Sequence, residues 1–187
     1  MILEGLVTTT DAAGLMHLAP MGPIVGEGFR TLLLRPYPDS STYKNLVAHE
    51  EGVFHVTDDA ALIARAALGK LTKVPSFDAA EKINGFVLDN CCRAYEFRVC
   101  SIDTSGERVR IETDVIQQHT LRHFIGFNRA RHAIIEAAIM LTRLHILPRG
   151  EVETEFRKFR VVVDKTGGEA ELDAMEFLEK ELAEAPR

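Results

Sequence analysis

The segment that decides the fold is residues 95–115, which read YEFRVCSIDTSGERVRIETDV. Apolar and charged residues alternate over 95–99 and again over 109–115, on either side of a turn sequence at 103–106. Period-two alternation on both sides of a turn is typical of two antiparallel strands that each bury one face. Residues 95–115 are therefore predicted to form a β-hairpin.

Further strands are predicted on the N-terminal side of this hairpin, where short apolar runs are separated by turn-forming residues. The first such turn is Asp11–Gly14, since Asp and Gly adopt turn conformations at low cost. Two helices interrupt the strands, and the second has Asp58 as its N-cap and Gly69 at its end. The predicted strands cover residues 2–9, 15–19, 29–34 and 52–57, and the predicted helices cover residues 42–49 and 59–68.

The apolar pattern becomes helical after Asn128, with a period of about 3.6 residues. A first helix reaches Pro148, and a second ends at Gly167, because proline and glycine terminate helices. The last helix has acidic residues on its solvent face. The fold class is therefore mainly β with α, and the apolar positions of the three C-terminal helices lie at 134–144, 152–163 and 172–182.

Composition limits the classes of function. The chain has 187 residues, 46% hydrophobic and 27% charged, a balance that supports one globular core with a helical extension. A net charge of −6 argues against general binding to nucleic acid or to an anionic membrane surface. No apolar run approaches the ~18 residues of a membrane span and no signal peptide is recognised, so we expect a cytoplasmic protein. Three cysteines, two of them adjacent, predict reduced thiols rather than a disulfide framework.

Two polar segments are candidates for ligand binding. Residues 17–22 (HLAPMG) place proline and glycine at a strand end, where free backbone groups can face a flat heteroaromatic ring. Residues 35–45 (RPYPDSSTYKN) place an arginine and several hydroxyls around a helix start, which favours an anion such as phosphate. The alternative is a proline-bent loop followed by an ordinary helix cap, and composition alone favours that alternative.

A series of short motifs covers nearly the whole chain in a fixed order, and this series favours ligand binding over an ordinary capped loop. Their order and spacing resemble the FMN-binding split-barrel superfamily of flavin reductases and flavoredoxins. Within it, the chain is most similar to an archaeal and bacterial domain-of-unknown-function family of FMN-binding proteins. The residues that carry the resemblance are Val7–Thr9, Ala19–Gly22, Ser41–Asn45, Val56–Asp59, Asn128–His132, Ile135–Ala138 and Lys165–Gly168.

The resemblance implies a six-stranded antiparallel split β-barrel over residues 1–126. It also implies a helical extension over residues 127–187, packed on the barrel as part of the same domain unit. FMN is implied as the cofactor, at or near the interface of a homodimer. The implied cofactor-binding residues are Ala19, Pro20, Met21 and Gly22 beside the ring, Arg35, Ser40, Ser41, Thr42 and Asn45 around the phosphate, and Asn128 and Arg131 as further candidates.

Three functions remain open at this point. The first is an FMN-dependent oxidoreductase that acts on a small molecule, for which the sequence identifies no catalytic residue. The second is a module that stores, delivers or senses FMN without turnover, and the third is a structural homodimer that has lost the cofactor. A pocket open to a second ligand favours the oxidoreductase. A flavin ring sealed by the partner subunit favours the module without turnover, and a pocket filled by side chains favours the structural homodimer.

Other candidate sites are weaker. His119 and His123 are four residues apart, which on a helix places two imidazoles on one face, as a metal site requires. No clear third ligand is evident, so a polar surface or interface role is favoured and no metal is predicted. Cys91 and Cys92 lack Cys-x-x-Cys spacing and are interpreted as buried packing residues. No glycine-rich nucleotide loop is present, which argues against a tightly bound NAD domain but leaves transient nicotinamide docking open.

Overall fold

The computed structural model describes residues 1–106 and 108–186. The chain divides into two compact units. The barrel unit consists of Met1–Thr57 and Val74–Phe124, and the helical unit consists of Asp58–Lys73 and the chain from Ile125 onward. The helix at 60–67, which precedes the C-terminal extension in sequence, therefore clusters with the C-terminal helices.

Strands make up about half of the barrel unit. In chain order its elements are β1 (Gly5–Thr10), β2 (Met16–Met21), β3 (Ile24–Val25), β4 (Thr31–Leu34), α1 (Ser41–His49), β5 (Glu51–Val56), β6 (Phe77–Ala79), β7 (Phe86–Leu88), β8 (Arg93–Asp103) and β9 (Arg110–Thr120). The helical unit contains α2 (Ala60–Ala67), α3 (Arg129–Thr142), α4 (Arg149–Thr166) and α5 (Glu169–Glu184).

Seven strands form one antiparallel sheet, in the order β2-β1-β5-β8-β9-β4-β3. The predicted hairpin is confirmed as β8 paired with β9. The two ends of the sheet meet, because Ile2 forms an antiparallel bridge with Ile24 in the register of the β1–β2 pair. Residues 1–10 therefore pair with both β2 and β3, and this pairing closes the barrel.

The predicted split barrel is confirmed, with seven strands rather than six in its sheet. The difference arises at Gly22 and Pro23, which divide one long strand into β2 and β3. Proline has no N–H to donate and tends to lie at sheet edges or breaks. Beyond the break, β3 pairs with β4.

The barrel core lies on the face that carries Phe54, Tyr95 and Phe97, all fully buried. Leu46 of α1 packs in the same cluster, so this helix covers part of the core. Burial of each large apolar side chain contributes about 1.5–3 kcal/mol. The fully or nearly fully buried members of the cluster are Val7, Leu32, Leu34, Leu46, Phe54, Tyr95, Phe97, Val109 and Ile111.

Two buried polar residues hold the segment between β6 and β8 on the barrel through hydrogen bonds. Glu96 is fully buried, and its carboxylate accepts hydrogen bonds from the backbone N–H groups of Glu81 at 2.8 Å and Lys82 at 2.7 Å. His55 is fully buried too, and its Nε2 accepts a bond from the Leu88 N–H at 3.1 Å. Burial lowers the pKa of His55 to about 3, so the imidazole is neutral and remains an acceptor at neutral pH.

The helical unit is built on small side chains. Ala130, Ala133, Ala137 and Ala138 of α3 are buried, which lets α3 approach its neighbours closely. α3 contacts α2, α4 and α5. Phe156, Met175 and other large side chains fill the remaining space. Within the described residues, no helix combines the length and apolar character needed to cross a membrane.

The Glu96→Gln substitution is expected to lower the free energy of unfolding at pH 7 by about 2 kcal/mol or more, because hydrogen bonds to a charged group are each worth about 1.5–3 kcal/mol. Burial opposes ionisation of Glu96, but its backbone and His119 partners outweigh burial and lower its pKa below the ordinary 4.5. The stabilisation is therefore present above pH 4.5 and lost as the pH falls through the lower folded-state pKa. Urea unfolding at pH 7 and at acid pH measures this.

The matched control is Glu112→Gln, which changes an exposed glutamate on β9. This control is expected to unfold like the wild type at both pH values. Equal stability of Glu96→Gln and wild type at pH 7 would contradict the role given to this carboxylate.

Candidate functional site

The first predicted segment lies on an edge strand. Ala19, Pro20 and Met21 belong to β2, which pairs with β1 on one side only. All three are half-buried. In an antiparallel edge strand, alternate residues direct their backbone polar groups away from the sheet. The backbone of this segment can therefore accept and donate hydrogen bonds to a ligand. The strand ends at Gly22, where an added Cβ would lie 3.0 Å from the side chains of Glu4 and Ile2.

The second predicted segment forms the start of α1. Ser40 is the N-cap: its Oγ accepts from the Tyr43 N–H at 3.2 Å and donates to the Tyr37 carbonyl at 2.7 Å. Ser41 is exposed, and no acidic residue lies in the first turn. The first N–H groups of a helix have no intrahelical partner, and the helix dipole is positive there. This end of α1 is therefore suited to an anion.

Arg35 follows β4 and supplies a second feature of an anion site. Its side chain is half-buried, and its Nε is enclosed without a hydrogen-bond partner among the described residues. An unsatisfied buried donor costs about 1–3 kcal/mol, more if charged. An enclosed Nε of this kind is a donor that a phosphate oxygen would satisfy.

Thr42 and Asn45 lie on the inner side of α1 and are buried. The Asn45 Nδ2 donates to the Oγ1 of Thr9 on β1 at 3.0 Å. α1 also contacts β2. The structure thus brings the segments 19–22 and 35–45 into one part of the barrel unit, and it uses the Asn45 amide to hold α1 in place.

Asn128 and Arg131 lie in the helical unit, where both have protein partners. Asn128 is the N-cap of α3: its Oδ1 accepts from Ala130 N and Arg131 N, and its Nδ2 donates to the Thr166 carbonyl at 2.9 Å. The Arg131 Nε donates to Glu171 at 2.8 Å, whereas its buried Nη1 lies 3.6 Å from Asp58 and has no hydrogen-bond partner among the described residues. These contacts hold α3 to its neighbours, and a cofactor role for the two residues stays a prediction.

His119 and His123 do not share a helix face, so that premise of the metal hypothesis is wrong. His119 lies on β9, and its Nε2 is 2.7 Å from the Glu96 carboxylate. His123 lies beyond the end of β9. Among the described residues, no group of three or more His, Cys, Asp or Glu could hold a metal ion.

The cysteines are free thiols, and the packing role predicted for the adjacent pair is confirmed by their burial. The Cys91 Sγ donates to the Leu88 carbonyl at 3.2 Å. Burial raises the pKa of Cys91 to about 12, so this thiol stays protonated and is a poor nucleophile at neutral pH.

Sequence reasoning missed a cavity at one end of the barrel. It lies where β5 ends at Val56, β8 begins at Arg93 and β9 ends at Thr120, and Tyr95 forms part of its wall. Tyr95 lies at a core position of the alternating pattern. The sequence does not reveal that its buried hydroxyl lacks a hydrogen-bond partner among the described residues.

The fold places the chain in the class of split-barrel proteins, as the resemblance predicted. Within that class, it belongs to the protein family of unknown function DUF447. The N-terminal domain of this family matches residues 3–122, and its C-terminal part matches residues 128–180. A comparison with curated proteins gave no match.

Solved structures agree on the fold. An FMN-bound DUF447 protein from Methanosarcina mazei superposes with a TM-score of 0.83 at 20% identity, over 96% of this chain and 94% of that one. A protein assigned as a flavin reductase with a split barrel domain, from Shewanella frigidimarina, gives 0.54 at 8% identity, over 64% and 67%. An NADH:FAD oxidoreductase from Streptomyces globisporus gives 0.53 at 13% identity, over 63% and 70%.

The Asn128→Ala substitution is expected to lower the free energy of unfolding by about 1 kcal/mol, because it removes the side-chain cap of α3. Asn128→Ser retains a capping oxygen and is expected to lose less. Thermal and urea unfolding of both variants measure the difference. Equal stability of the alanine variant and wild type would show that the cap contributes nothing.

Proposed function

We propose that this protein binds FMN in its barrel unit and is a flavin-dependent oxidoreductase that acts on a small molecule. The observation that carries the proposal is the fold it shares, over 96% of its length, with the FMN-bound protein of Methanosarcina mazei. The residues of the barrel unit fit such a cofactor on their own chemistry, in two places.

The phosphate is assigned to the start of α1. Arg35 offers a buried Nε with no hydrogen-bond partner among the described residues, and the exposed Ser41 offers a hydroxyl beside the helix N-terminus. Charge-assisted hydrogen bonds to a phosphate are shorter and stronger than neutral ones. Thr42 lies one residue further into the same turn, and Ser40 fixes the turn as its N-cap. The carboxylate of Asp39 precedes this turn but is exposed to solvent.

The flavin ring is assigned to the edge of β2. Backbone groups of Ala19, Pro20 and Met21 face away from the sheet in alternation, and the carbonyls and N–H groups of a strand edge match the polar rim of a flat heteroaromatic ring. Gly22 ends the strand without a side chain that would block the approach. The backbone of β2 orients the ring and positions it relative to the phosphate site at the start of α1.

Bound FMN supplies the redox chemistry, hydride or electron transfer, while the protein positions it and tunes its electrostatics. A protein of this kind needs no nucleophile or acid–base set of its own, and we assign no catalytic residue. The NADH:FAD oxidoreductase of Streptomyces globisporus supports a nicotinamide as electron donor.

We also propose a homodimer as the working form. Exposed apolar side chains of the helical unit support it, among them Ile125 at 72% and Phe127 at 92% exposure. Contiguous apolar surface marks places that a partner covers. Sedimentation velocity is expected to give twice the mass of the chain, and a monomer at micromolar concentration would contradict the proposal.

The double substitution Ser41→Ala plus Thr42→Ala is expected to weaken FMN binding about 100-fold or more, because each phosphate hydrogen bond is worth about 1.5–3 kcal/mol. Arg35→Gln is expected to weaken it at least tenfold. Titration of FMN into cofactor-stripped protein, followed by flavin fluorescence, measures both changes.

The matched control is Ser101→Ala plus Thr104→Ala, which removes two exposed hydroxyls from the β8–β9 hairpin. Circular dichroism checks that all variants fold. Wild-type affinity in the Ser41/Thr42 variant would remove the start of α1 from the cofactor site.

A further inference from the structure

The cavity at the end of the barrel is separate from the segments assigned to FMN. Its volume is about 190 Å³. Pockets for drug-sized ligands measure about 300–1,000 Å³, so this one suits a smaller molecule. Its aromatic walls are Phe29 and Phe124, and Tyr95 lies between the strand ends that frame it.

Tyr95 places an unpaired donor in this wall. The residue is fully buried, and its hydroxyl has no hydrogen-bond partner among the described residues. Buried tyrosine hydroxyls usually have a partner, and an unsatisfied polar group is costly. The simplest partner is an oxygen of a molecule in the cavity.

Phe29 is held in an unusual conformation beside this hydroxyl. Its φ is 58°, in the left-handed region that bulky residues rarely adopt. Its ring stacks on Tyr95 with centroids 4.4 Å apart and planes 5° from parallel. Strained backbone of this kind persists where the surrounding structure requires it and is frequent at ligand sites. Here it places an aromatic surface in the wall.

The charge of the cavity wall is positive. Arg93, Arg122 and His123 all line it, and none of the lining residues is acidic. The Arg122 Nε donates to the side-chain oxygen of Asn90 at 3.0 Å, and this bond fixes the position of the guanidinium in the wall. A bound molecule that carries one negative charge would meet two guanidinium groups and the phenolic donor.

We propose that this cavity binds a small planar carboxylate. Its ring or conjugated plane lies against Phe29 and Phe124, and its carboxylate accepts from the Tyr95 hydroxyl and pairs with Arg93 or Arg122. The site does not depend on the proposed FMN site, since none of the residues assigned to FMN lines it.

Benzoate is the probe, and benzamide is its neutral counterpart of the same shape. Calorimetric or ligand-detected NMR titration of the purified full-length protein is expected to show benzoate binding, with benzamide at least tenfold weaker. Tyr95→Phe is expected to weaken benzoate binding about tenfold, because it removes one hydrogen bond to a charged group. The Tyr95→Phe variant should fold with wild-type stability, since the lost hydroxyl has no hydrogen-bond partner in the part of the chain that the structure describes.

Tyr37→Phe is the matched control, because it removes the hydroxyl of an exposed tyrosine that does not line the cavity. It is expected to bind benzoate like the wild type, and saturating FMN is expected to leave benzoate binding unchanged. No binding up to millimolar benzoate, equal affinity for benzamide, or wild-type affinity in Tyr95→Phe would each overturn the proposal. Displacement of benzoate by FMN would assign the cavity to the flavin and would also overturn it.

Discussion

The break at Gly22 and Pro23 is the constraint on which the rest of the barrel depends. Residues 1–10 pair with residues 16–25 in a single register, and beyond the break the second strand pairs with β4 as well. One hairpin therefore joins both ends of the sheet. The same break leaves β2 at an edge, with half-buried backbone that no strand covers. A barrel closed by continuous pairing would offer no such edge to a ligand.

Buried polar groups fix the parts that the strands alone leave open. The Glu96 carboxylate holds the backbone of residues 81–82, and the neutral imidazole of His55 holds the N–H of Leu88. Asn45 holds α1 against β1 in the same way. Arg35 and Tyr95 differ from these residues, since each keeps a buried donor without a partner among the described residues. The satisfied groups position the fold, whereas the unsatisfied ones mark where a ligand would bind.

The local pattern of apolar and capping residues predicted most of the helices and strands. The 95–115 hairpin, the helix at 60–67 and the three C-terminal helices follow from period and capping, although the N-cap of the helix at 60–67 is Asp59 and not the predicted Asp58. Long-range packing could not be predicted in this way. β6 lies outside every predicted element, because its three residues are exposed and too few to show a period. His119 lies on a strand although its spacing from His123 suits a helix, since spacing does not determine conformation. The unpaired donors of Arg35 and Tyr95 depend on which atoms surround them, which no sequence pattern reports.

The central claim is that the barrel unit holds FMN. The most direct test is the visible absorption spectrum of freshly purified protein, followed by extraction and identification of any chromophore. The account predicts the bands of oxidised flavin and recovery of FMN in a one-to-one ratio to the chain, either as purified or after addition of FMN. A colourless protein that also fails to bind added FMN would contradict the account and would leave a split barrel without the cofactor.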